Sequence, residues 1–312
     1  MNRHLIIDAD PGIDDAVAIL LAIASAAELT VRAIVTVAGN APVEQTASNA
    51  RRVCELACRR DIPVYAGCSR PMRRPLLTGE DVHGESGLGD VELPESTTPS
   101  KEDGVEFLIR TLSASDDGAI TLAALGPLTN VAATLTAAPG LTRKLREVVV
   151  MGGAFDEPGN ITQWAEYNVY ADPEAAAIVL ESGVAVTMIP LDVTHTALTT
   201  TARMARLERL RTHCGIVAAQ MLRYFERSAF ARFGGEGAPL HDPCVIAYIL
   251  RPQLFTGRNI EVAIDTTDAA SAGRTVIRSP VTNVRGGSVQ CLTAIDAKGY
   301  FDLLTDRLSQ LP

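Results

Sequence analysis

Residues 8–15 read Asp8-Ala9-Asp10-Pro11-Gly12-Ile13-Asp14-Asp15, which puts four carboxylates into eight positions. An apolar run at 5–7 precedes them and another at 16–23 comes after, so the segment is expected to end a strand, turn at Pro-Gly and start a helix. Four carboxylates converging on one strand-to-helix corner would repel one another, and a hard divalent cation with oxygen ligands is the chemistry that relieves this. Helix capping competes with that reading, since an acid at a helix N-terminus satisfies free N–H groups and opposes the positive end of the dipole. Capping employs one or two acids and leaves Asp8 and Asp10 unexplained. An EF-hand loop starting at Asp8 is excluded, because it would place Ile19 where the bidentate Glu belongs.

The elements that must position these acids alternate in type. Strands are expected at 5–7, 31–37, 63–65, 120–124, 147–150 and 186–189, with helices at 15–26, 43–59, 104–113, 128–137 and 173–181. Such alternation predicts an α/β fold with an open, mostly parallel, Rossmann-like sheet flanked by helices. In sheets of this kind, ligands bind beyond the carboxyl ends of the strands. Past the ends of the expected strands the chain turns polar or glycine-rich again and again: Asp8 and Asp10, Gly39-Asn40, Leu125-Gly126-Pro127, Met151-Gly152-Gly153, then Asp192. Residues 67–103 form a long Pro- and Gly-rich connection, read as a mobile functional loop. The last third adds C-terminal helices at 202–211 and 216–233, a glycine-rich break at 234–237, a helix at 245–250, a β-hairpin region at 258–295 and a closing helix at 297–308.

With 312 residues and 47% hydrophobic content, the chain can bury a large core as one α/β domain or two closely fused ones. A formal charge of −9 argues against a nucleic-acid or anionic-membrane partner and favours a small neutral or cationic ligand. No targeting segment is visible ahead of the first strand, and the longest apolar run, 16–24, is too short to cross a bilayer. The six cysteines, Cys54, Cys58, Cys68, Cys214, Cys244 and Cys291, show neither metal-site spacing nor a disulfide framework. A reducing cytoplasm suits that usage.

Seven segments taken together resemble the nucleoside hydrolases, and in pattern the inosine–uridine-preferring type. They are Asp10-Pro-Gly-Ile-Asp14-Asp15, Val37-Ala38-Gly39-Asn40, Gly126-Pro127-Leu128-Thr129-Asn130, Met151-Gly152-Gly153, Gly159-Asn160, Ala165-Glu166-Tyr167-Asn168 and His241-Asp242-Pro243-Cys244. The resemblance covers most of the chain in the family's order and implies a single domain over residues 1–312. It implies one Ca²⁺ held by Asp10, Asp15, Asp242 and the main-chain carbonyl of Leu125, where family members often carry Thr or Val. It further implies that a water on that cation is deprotonated by Asp10 and attacks the anomeric carbon of a ribonucleoside. Asp14, Asn40, Asn160, Glu166, Asn168 and Asp242 would bind the sugar, with Met151 packed against the ribose. Asn and carboxylate side chains suit a furanose because its hydroxyls need both donors and acceptors.

His241 is, by the same resemblance, the general acid that protonates the departing base, and His83 resembles a second family histidine on the 67–103 loop, either a lid residue that closes over the substrate or a solvated loop residue. The family pattern also places aromatic residues on the 216–233 helix to meet the base, but Tyr224, Phe225, Phe230 and Phe233 do not register against it. Aromatics at such spacing are more often core. Homodimers or homotetramers are the family's usual assemblies. Two rival classes compete. A haloacid-dehalogenase-type phosphatase shares the opening Asp-x-Asp, but Gly12 stands at its Thr position. A non-catalytic nucleoside-binding protein would not need both the base Asp10 and the acid His241.

Overall fold

The computed structural model describes residues 2–99, 101, 103–233, 237–267, 270–280 and 289–312. Its first strand, β1 (Arg3–Ala9), sends Leu5, Ile7 and Ala9 into one apolar layer and Ile6 into the other, as the two-residue repeat of a strand requires. The chain continues through α1 (Ile13–Ala24), β2 (Leu29–Thr36), α2 (Val43–Leu56), β3 (Val64–Ala66), α3 (Glu80–His83), α4 (Gly104–Ser113), β4 (Ile120–Ala124) and α5 (Thr129–Ala137). Then come β5 (Leu145–Met151), α6 (Tyr167–Ala171), α7 (Pro173–Glu181), β6 (Val186–Ile189), α8 (Leu191–Thr194), α9 (Thr201–Leu207), α10 (His213–Phe233) and α11 (Pro243–Leu250). The described chain closes with β7 (Phe255–Ile264), β8 (Thr275–Pro280), β9 (Val289–Ile295) and α12 (Ala297–Leu308).

The strands form one sheet in the order β3-β2-β1-β4-β5-β6-β9-β7-β8. Strands β1 to β6 pair in parallel, as expected, and α1, α2, α10, α11 and α12 cover one face while α4, α5 and α7 cover the other. The inner strands β4 and β6 are buried along their whole length, as in a sheet covered on both faces. Helix α1 is buried from Ile13 to Ile23 and packs against α2, α10, α11 and α12, so beyond Asp14 and Asp15 of its first turn it is apolar all round. The region expected as a β-hairpin extends the main sheet: β9 runs parallel to β6, and β7 pairs antiparallel with both β9 and β8. Residues 234–236 of the glycine-rich break lie outside the described residues. Among the described residues, no helix is long and apolar enough to cross a membrane.

Strand order reverses between β1 and β4, the switch point at which open α/β sheets hold their ligands. Asp10 follows β1 and Leu125 follows β4, so the first acids stand at that crevice. The expectation that all four acids converge there is corrected for Asp8. It lies on the same strand face as Ile6, turned toward α5, and its Oδ2 accepts a hydrogen bond from Asn130 Nδ2 at 2.9 Å. Asn130 also donates to the Thr36 carbonyl (3.0 Å) and accepts from the Cys68 backbone N–H (2.7 Å), tying β1, β2 and the start of the 67–103 loop together. Burial raises the Asp8 carboxyl to about 7, with the Asn130 bond opposing.

Asn130→Ala removes these three hydrogen bonds and strands a buried acid. Its expected cost is about 2–4 kcal/mol in urea unfolding. A loss below about 0.5 kcal/mol would show that the network does not hold the sheet edge together.

Candidate active site

Asp15, on the first turn of α1, organises the acidic corner. Its Oδ2 accepts the Gly12 N–H (3.0 Å) and a bond from Asn40 Nδ2 (3.2 Å), and its Oδ1 accepts the Asp10 N–H (3.2 Å). Asp15 therefore caps its helix and belongs to the acid cluster at once. Asp10 Oδ2 accepts the Asn40 backbone N–H at 2.7 Å, while Asn40 Nδ2 returns a bond to the Asp10 carbonyl at 3.2 Å. A Cβ at Gly39 or at Gly126 would overlap the Asp10 carboxylate, which is why both flanking turns carry glycine.

Carboxylate oxygens of Asp14, Asp15 and Asp242 lie within 4.8 Å of one another, all three side chains being buried. Asp10 stands beside this trio rather than within it, and Asp14, expected as a sugar ligand, is part of it. Burial drives all four acids upward. Asp14 and Asp15 rise to about 6, with the charge of Asp14 adding to the rise of Asp15. Asp10 rises well above the usual carboxylate range, through burial and then the charge of Asp15, and Asp242 does so through burial and then the charges of Asp14, Asp15 and Asp10. An all-oxygen set that resists ionisation unless opposed by positive charge fits a hard divalent cation.

The opposite wall comes from β5 and α6. Asn168 Nδ2 donates to the Leu125 carbonyl at 2.6 Å and to the Met151 carbonyl at 3.2 Å, bridging the ends of β4 and β5. A carbonyl has two acceptor positions, so the Leu125 oxygen keeps one for a cation. Glu166 caps α6 by accepting from the N–H groups of Asn168, Val169 and Gly153, at 2.9, 3.2 and 3.1 Å. Burial nevertheless raises its carboxyl to about 7. Asn160 Oδ1 accepts the Tyr167 N–H at 2.8 Å, so Gly159-Asn160 serves the same helix start.

His83 is buried on α3, which excludes a solvated loop position; its Nδ1 accepts the Ile13 N–H at 3.1 Å at the start of α1. Burial lowers its pKa to about 4, so the ring is neutral, with Asp15 opposing the shift. The 67–103 loop that carries it is tied down by Asn49 Nδ2 to the Ser86 carbonyl (2.8 Å) and by Tyr167 Oη to the Leu77 carbonyl (2.9 Å). His241 Nδ1 meets Thr194 Oγ1 at 2.8 Å, and burial, then His195 and His83, push its pKa down to about 3.

These groups surround a pocket enclosing about 820 Å³ of space, open solvent at its mouth included. Asp14, Asn40, His83, Leu125, Met151, Asn160, Glu166, Asn168, His241 and Asp242 all line it, while Asp10 and Asp15 are buried behind Asn40. Sequence reasoning missed His195, Ile161 and Tyr167 and left Phe225 without a register; all four also line it. Phe225 resolves the aromatic register of α10: its ring stacks on His83 at 5.7 Å, whereas Tyr224 packs against Gly89 of the loop. The side chains of Phe230 and Phe233 lie outside the described residues. For His195 a signal existed, because it stands three residues after Asp192 at the sheet edge.

Comparison with known proteins agrees with this geometry. The profile of the inosine-uridine preferring nucleoside hydrolases matches residues 5–302. A protein of Schizosaccharomyces pombe without an assigned function is 42% identical over 309 residues, covering 99% of each chain. The pyrimidine-specific ribonucleoside hydrolase RihA of Enterobacter sp. is 40% identical over 312 residues, again covering 99% of each. The structure of a purine-preferring ribonucleoside hydrolase from Gardnerella vaginalis superposes with a TM-score of 0.92 at 31% identity, over 98% of both chains. The chain belongs to the inosine-uridine preferring nucleoside hydrolase family.

Proposed function

We propose that this protein hydrolyses the N-glycosidic bond of ribonucleosides to free base and ribose, with Ca²⁺ as its cation. Family membership makes it an N-ribohydrolase and sets aside the phosphatase reading. The observation that carries the chemistry is the meeting, at the β1/β4 switch point, of buried acids, the Leu125 carbonyl and His241 around one pocket. Asp10, Asp15, Asp242 and the Leu125 carbonyl would hold the cation, with Asp14 adjacent. When bound, Ca²⁺ supplies a fixed point for the ribose 2′- and 3′-hydroxyls and acidifies the attacking water modestly.

The remaining work falls to side chains. Asp10, its carboxylate held by the Asn40 N–H, takes the proton from the attacking water. As the glycosidic bond lengthens, the ring becomes oxocarbenium-like, and the surrounding buried carboxylates stabilise that positive charge. Asp14, Asn40, Asn160, Glu166, Asn168 and Asp242 bind the sugar, and Met151 packs on its face. His241, whose Nδ1 is engaged by Thr194, presents Nε2 to the leaving base and protonates it, the negative charge that builds on that base opposing the burial that otherwise keeps the ring neutral, while His83 covers the substrate from the 67–103 loop. The relatives named for pyrimidine and for purine substrates make both base classes candidates. A cytoplasmic homodimer or homotetramer completes the reading.

Reducing-sugar release from a panel of purine and pyrimidine ribonucleosides tests it, with 2′-deoxynucleosides as the control. Because a missing hydroxyl leaves buried acceptors unpaired, uridine should exceed deoxyuridine in kcat/KM by about 10⁴-fold. Comparable rates would remove the proposed ribose site. Adding Ca²⁺ to chelated protein should restore activity and raise thermal stability, by about 2.7 kcal/mol at a hundredfold excess over Kd. Asp15→Ala should abolish both responses, and activity that survives exhaustive chelation would overturn the metal assignment. His241→Ala should slow inosine hydrolysis by about 10²-fold or more and barely change a nitrophenyl riboside, whose leaving group needs no proton. Equal losses on both substrates would assign His241 to structure instead.

A further inference from the structure

Asp192, the polar residue that comes after β6 at the carboxyl edge of the sheet, does not face the acid cluster. Its carboxylate accepts three successive backbone N–H groups, those of Phe155 (2.9 Å), Asp156 (2.7 Å) and Glu157 (3.1 Å), fixing the loop after β5. Glu157, held at the end of that run, pairs through Oε2 with His195 Nδ1 at 3.1 Å. His195 immediately follows α8, lines the pocket, and places its ring 5.9 Å from that of His241 at an angle of 57°. The stretch 192–195 thus carries the post for the loop, the Thr194 hydroxyl that engages His241, and a second imidazole beside it.

The chemistry of the pair is set by its partners. A carboxylate only accepts, so Nδ1 of His195 carries the hydrogen, and Nε2 is the nitrogen left for the pocket. His241 adjoins Asp242 in sequence, and His195 lines the same pocket with its ring beside that of His241. Two imidazoles side by side in one pocket can each meet a base bound there.

We propose that His195, oriented by Glu157 and through it by Asp192, is a specificity-determining residue that reads the lactam edge of the base. The proposal rests on the ribonucleoside reading above. With Nδ1 committed as the donor to Glu157, His195 accepts at Nε2 the ring N–H of uracil or hypoxanthine. Cytosine and adenine present a bare ring nitrogen there, which offers no N–H to an accepting Nε2. Glu157 and Asp192 are positioning residues, since they act only through His195.

The test measures kcat/KM of the full-length Ca²⁺-loaded protein on uridine, cytidine, inosine, adenosine and p-nitrophenyl riboside. His195→Ala should lower the uridine-to-cytidine ratio, the inosine-to-adenosine ratio, or both, by about tenfold, the worth of one hydrogen bond in a closed site. It should leave the nitrophenyl riboside, which lacks a lactam, within about twofold. His195→Phe keeps the ring volume, and Glu157→Gln alters a half-exposed side chain, so both report the same ratios should the alanine variant fold poorly. Glu157→Gln should shift the ratios in the same direction by a smaller factor. Unchanged ratios overturn the proposal, as does an equal loss on every substrate including the nitrophenyl riboside. Failure of the wild-type protein to turn over any ribonucleoside would overturn the enzyme reading beneath it, an outcome distinct from active protein with unmoved ratios.

Discussion

Carboxylates buried at the carboxyl edge of a parallel sheet set the terms for everything around them. Asp10, Asp14, Asp15 and Asp242 lose water without gaining a lysine or arginine in exchange among the described residues, and each is driven toward its neutral form. The structure answers with backbone and amide donors: Gly12, Asp10 and Asn40 serve Asp15, and Asn40 serves Asp10. It also removes side chains that would compete for the space, at Gly39 and Gly126. What those donors do not neutralise is the charge that a divalent cation balances.

That constraint explains why the walls of the pocket are themselves stiffened by buried polar groups. Asn168 spans two strand ends, and Glu166 spends its carboxylate on three N–H groups; the half-buried Asp192 does likewise on the loop after β5. A buried amide or acid used in this way fixes backbone segments closely in place, because any slippage leaves a desolvated group unpaired. Groups assigned to substrate and groups assigned to structure are therefore in part the same groups.

Three imidazoles near one cavity are made different by what each Nδ1 meets. A backbone N–H makes His83 an acceptor and a helix cap, a hydroxyl steers His241, and a carboxylate makes His195 a donor at that atom. Their roles are set by these partners rather than by their residue type.

Much of this was legible in the chain. The strand–turn–helix reading of residues 5–23, the parallel alternation and the glycine- and amide-bearing turns depend on local pattern, and they survive folding because backbone sterics and two-residue periodicity act locally. The spaced segments around Asp10, Asn40, Asn168 and Asp242 likewise mark one sheet edge once the strands are known to be parallel. What the chain could not show is direction. Asp8 looks identical to Asp10 in sequence, yet the strand's end between them lets Asp10 turn into the crevice while Asp8 is committed to Asn130, 122 residues away. Nor does anything local distinguish Phe225 from Tyr224, since which of these faces the pocket depends on how α10 packs against the 67–103 loop, and the position of His195 near the sheet edge does not by itself tell that its ring meets His241 and Glu157. Local pattern determined which chemistry this protein carries. Long-range packing alone decided which side chains meet to carry it out, because contacts between distant segments exist only once the sheet has brought their ends together.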